Sequence, residues 1–97
     1  MKDNDFKWYG LVRYSKKTGK VDTCMTGCLS SMMKAWALQN TTKTKICEVF
    51  ELSTGIITAR FTGTKDGFPK VEMNLESKGE KMDEDVRAAL EASETRM

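Results

Sequence analysis

Histidine is missing altogether from these 97 residues, and proline occurs once. The first absence removes the general base that a cysteine nucleophile normally uses, and it leaves any zinc site short of ligands. A metal centre and a cysteine hydrolase are therefore not expected. The glycines form neither G-x-x-x-x-G-K-[ST] nor G-x-G-x-x-G, so no phosphate-cradling or dinucleotide loop is legible. No cofactor and no enzymatic activity are expected.

No apolar run approaches the ~20 residues that a membrane-spanning helix needs. The opening Met-Lys-Asp-Asn-Asp-Phe-Lys is charged where a secretory signal would need an apolar core, which points to a cytoplasmic chain without membrane contact. Three cysteines cannot all pair within one chain, so reduced thiols are the simpler expectation.

What is present fits one small folded domain over residues 1–97: 39% of the residues are hydrophobic and 31% charged, too apolar for general disorder. The net charge of +2 conceals an asymmetry. Residues 1–70 hold 12 Lys or Arg against 6 Asp or Glu, whereas residues 71–97 hold 4 against 8. The pattern divides into a basic sheet-helix body at 1–76, a polar linker at 77–81 and an acidic C-terminal helix at 82–97.

Phe6, Trp8, Val12 and Tyr14 share one parity in an aromatic and β-branched stretch, which predicts a strand. A two-residue turn at Thr18-Gly19 would set Val12 opposite Met25 and Tyr14 opposite Thr23. Leu29, Met32, Met33 and Trp36 then fall at i, i+3, i+4 and i+7, the stripe of a helix with Thr26 as candidate N-cap and Asn40 as its stop. A second hairpin turning at Thr54-Gly55 would pair Phe50 with Ala59 and Leu52 with Ile57, leaving Glu48 on the core face in need of a partner or solvent. Val71, Met73 and Leu75 alternate after Pro69, giving a short edge strand. Asp83, Glu84 and Asp85 place acid in the first turn of a last helix, where the dipole favours it; a catalytic carboxylate pair is the weaker reading. The expectation is an α+β class, two-layer ββαβββα, mainly antiparallel, with two helices on one face. Both hairpins carry an aromatic four residues before a Thr-Gly dipeptide, a pattern that duplication would leave and that chance also produces.

Cys24-x-x-x-Cys28 has metal-ligand spacing, but Cys47 is the one further thiol and a fourth ligand is missing. The stretch reads better as a joint where a strand becomes a helix. Two binding surfaces remain. Leu11, Cys47, Val49 and Ile56 lie on the parity opposite to the expected core and form a candidate protein interface, suited to a two-fold homodimer. Lys7, Tyr9 and Arg13 on the outward parity, Lys16, Lys17 and Lys20 at the hairpin tip, and Lys45 and Arg60 beyond them form an alternative nucleic-acid surface. No recognised nucleic-acid motif accompanies it. A small regulatory module working by protein contact is the favoured expectation, and nucleic-acid binding is the alternative.

Overall fold

Tyr9–Ser15 (β1) and Val21–Gly27 (β2) form an antiparallel hairpin in a computed structural model that describes residues 7–86 and 88. A helix, Ser30–Asn40 (α1), follows, and then Lys45–Glu51 (β3), Ile57–Thr62 (β4) and Lys70–Glu72 (β5). All neighbours are antiparallel in the order β2-β1-β3-β4-β5, so β2 and β5 are the edges. A second helix opens at Glu84, after Asp83 Oδ1 has accepted the Asp85 N–H at 2.8 Å. The α+β class, the five strands and the expected edge position of β5 are all present.

The hairpin registers differ from expectation, for a local reason. Ser15 N–H donates to Lys20 O and Gly19 N–H to Ser15 O, so the turn holds four residues rather than two. The Ser15 hydroxyl accepts the N–H groups of Lys17 and Thr18, and Thr18 Oγ1 accepts that of Lys20, which stabilises the longer loop. With an irregularity between Arg13 and Tyr14, Val12 lies opposite Cys24, Leu11 opposite Met25, and Tyr14 opposite Val21. The second hairpin repeats this turn: Glu51 N–H donates to Ile56 O and Gly55 N–H to Glu51 O. Phe50 therefore pairs with Ile57 and Val49 with Ala59. Gly19 and Gly55 both take positive φ, 74° and 76°, a conformation costly for residues bearing a Cβ.

Both faces of the sheet are apolar. Leu11, Cys47, Val49, Ala59 and Phe61 line one face and pack with Met33 and Ala37 of α1. Val12, Phe50 and Ile57 line the other, with Leu75 and Met82 against them. Gly10 stands opposite Phe50, and a Cβ on it would come within 2.4 Å of the ring, so its bareness makes room for the largest buried side chain. The helix thus covers the Leu11 face, whereas the Val12 parity was expected beneath it. Thr26 is not the cap, because β2 continues through Gly27 and Leu29 precedes the helix.

The second face is closed by the chain after β5. Leu75–Lys78 forms one 3-10 turn, Ile57 N–H donates to Glu80 O, and Met82 N–H donates to Gly55 O. Residues 77–81 are accordingly strapped to the second hairpin. Most of the expected helix at 82–97 lies outside the described residues; Met82 and Val86 sit with Val12 and Phe50, opposite α1.

Candidate functional site

The edge strand β2 carries one charge in seven residues, Asp22, and no proline. Edge strands that must stay unpaired are usually short, charged or interrupted by proline. β5 follows that rule, with three residues of which Lys70 and Glu72 are charged. β2 does not follow it. Among the described residues nothing pairs with its outer side.

Beside this edge, on the α1 side of the sheet, lies an apolar cleft of about 450 Å³ walled by Met25, Cys28, Met33 and Trp36 and rimmed by Trp8, Leu29 and Met32. It exists because α1 packs over β3, β1 and β4 and leaves the surface above β2 uncovered. The helix has no side-chain N-cap, no acid in its first turn and no base in its last, so docking of Met33 and Ala37 holds it more than its own sequence does. Its C-terminal end gains a cation from β1: Arg13 Nη1 donates to Asn40 O at 3.3 Å while the guanidinium lies 5.7 Å from the Trp36 ring centre. This fixes the back wall of the cleft. Trp8, Leu29 and Met32 remain 51%, 56% and 65% exposed, a contiguous apolar rim of the kind that marks contact surfaces.

The residues expected at a protein interface lie elsewhere. Leu11, Cys47 and Val49 are completely buried beneath α1 and Ile56 is half-buried, so they are core rather than surface. Burial, slightly offset by a hydrogen bond with Thr41, pushes the Cys47 thiol up and keeps it protonated.

Nor do the expected nucleic-acid contacts make one basic face. Lys7 pairs with Glu51 at 3.1 Å, and Tyr9 packs against the α1-side core. Arg13 and Lys45 both bind Asp22, at 2.9 and 2.5 Å, and Lys45 and Arg13 together hold its carboxyl well below the usual carboxylate range. Lys16 donates to Gly63 O. Arg60 points to the opposite side of the sheet, bound to Glu48 at 2.7 Å and Glu80 at 2.6 Å. Lys17 and Lys20, exposed at the hairpin tip, have no carboxylate partner among the described residues.

Arg60 and its partners form one wall of a second hollow, about 560 Å³, with Tyr14, Lys81, Asp83 and Asp85. Burial, with the Glu48 charge beside it, pushes the Tyr14 hydroxyl well above its ordinary range. The charges here largely satisfy one another. Glu48, expected to need a partner, has Arg60.

Cys24 belongs to the Phe50 side of the sheet, whereas Cys28 lines the cleft on the α1 side, so the two thiols do not face a common site. The strand-to-helix joint falls at Cys28 and Leu29. Among the described residues no group of three or more metal-ligating side chains gathers, and no helix is long and apolar enough to cross a membrane. No family model, no curated protein and no solved structure matches the chain.

Proposed function

We propose that this chain is a non-catalytic contact module of the cytoplasm that works by protein association, and that it associates with a second copy of itself through the apolar cleft. The observation that carries this reading is the rim of Trp8, Leu29 and Met32, each at least half exposed around a hollow walled by methionine and tryptophan. Methionine and tryptophan suit contact surfaces because the first adapts in shape and the second buries a large area. Three free thiols accord with a reducing compartment. Phosphate binding has less support, since Lys7, Arg13, Lys45 and Arg60 already hold carboxylates.

The test is Met32→Lys, a change on an exposed helical position that the fold tolerates. It is expected to raise the dissociation constant for self-association at least about tenfold, ~1.4 kcal/mol, with an unchanged circular dichroism spectrum. Undiminished association of the folded variant would overturn the reading.

A further inference from the structure

The cleft alone does not say how a partner is oriented, but the strand beside it does. We infer that the second copy joins through β2, its Val21–Gly27 strand running antiparallel to this one about a two-fold axis, so that two five-stranded sheets become one of ten strands. This rests on the proposal that the cleft is a contact between copies, and it deepens that proposal by naming the edge.

Three observations converge on it. The outer side of β2 has no strand partner among the described residues, and Asp22, its one charge, is already neutralised by Arg13 and Lys45. Antiparallel self-pairing of Thr23, Cys24, Met25, Thr26 and Gly27 therefore sets no like charges opposite one another, and every position can sit at a sheet interior. The other edge, β5, is short and charged and offers no such template.

The second observation concerns shape. A two-fold axis normal to the sheet keeps each face continuous, so the α1 side of one copy adjoins the α1 side of the other. Hollow and projecting rim lie side by side along the same strand, with Met25 in the wall and Leu29 and Met32 standing out beyond it. Such a surface is complementary to itself: the rim of each copy meets the uncovered space above the other's β2.

The third is size. Seven residues at about 3.4 Å each give an edge about 24 Å long, and at a sheet thickness of about 10 Å this covers roughly 240 Å², against the roughly 800 Å² per partner of a stable interface. Backbone pairing alone is too small. The flanking cleft supplies the additional apolar area, which is why strand and cleft belong to one interface.

Residue-resolved amide exchange on the wild-type chain and on Met32→Lys, each with its solution mass, tests this. The expected result is a wild-type dimer in which the outward-facing alternate amides of Val21–Gly27 exchange at least about tenfold more slowly than in the monomeric variant. A wild-type dimer whose β2 amides exchange as fast as those of monomeric Met32→Lys would overturn edge pairing and leave the cleft contact standing. A folded Met32→Lys that keeps the dimer mass would remove the cleft contact, and the edge inference with it, as would a wild-type chain that is monomeric throughout.

Discussion

Arg60 Nε donates to Glu48 Oε2 at 2.7 Å directly across the β3–β4 pair, and the acceptor is 6% exposed on a face otherwise lined by Val12, Phe50 and Ile57. A carboxylate in that position is tolerable only while its cation is there. Arg60→Met leaves Glu48 buried and unpaired, and it should cost on the order of 3 kcal/mol in urea unfolding. Glu48→Gln combined with Arg60→Met should cost less than the single change, because no buried charge is stranded. Equal losses would show that the pair is not what stabilises this face.

Val49 is completely buried between β1 and α1. Val49→Ala should lower stability by about 2 kcal/mol through lost burial and a small cavity. Val49→Lys should not fold, since a lysine there has neither water nor a carboxylate within the cluster. A folded, soluble Val49→Lys would return this position to the surface and contradict the strand registers described above.

The kinds and order of elements were legible in the sequence, and the choice of face was not. Alternation in β3 is uninformative because Ile46, Cys47, Val49 and Phe50 occupy both parities, as a strand covered on two sides requires. The turns then decided the register. Ser15 and Glu51 supply side-chain acceptors that favour four-residue loops over the two-residue turns suggested by Thr-Gly, and the local irregularity shifts the pairing by one. In α1 the apolar set is wider than one stripe: Met33 and Ala37 point inward while Leu29 and Met32, read as core, rim the cleft. The overlooked signal was the combination of that surplus with a strand, Val21–Gly27, almost free of charge. Basic residues were equally visible, but their carboxylate partners lie 9 to 44 positions away, as with Arg13 and Asp22 or Lys7 and Glu51, and only the fold brings these together.

Asp22 binds Lys45 and Arg13 at once, and its carboxyl is held well below the usual range by Lys45 first and Arg13 second. A depressed folded-state pKa means that the unfolded chain takes up the proton first as pH falls. The contribution is therefore complete above the unfolded value of about 3.9 and is lost as pH drops through the folded one. All three side chains are partly exposed, so solvent screens the pair and Asp22→Asn should cost only about 0.5–1 kcal/mol at neutral pH. Melting temperature measured from pH 6 to pH 2 should decline less steeply in Asp22→Asn than in the wild type. Parallel curves would remove Asp22 from the acid response.

The central claim is that two copies of this chain meet at the β2 edge and the cleft beside it. Light scattering on a size-exclusion column, run over a hundredfold range of loading concentration, tests it most directly. The account predicts a mass of twice 11.0 kDa at high loading that falls toward 11.0 kDa on dilution, and a Met32→Lys chain that stays at 11.0 kDa throughout. A wild-type mass of 11.0 kDa at every concentration would contradict it.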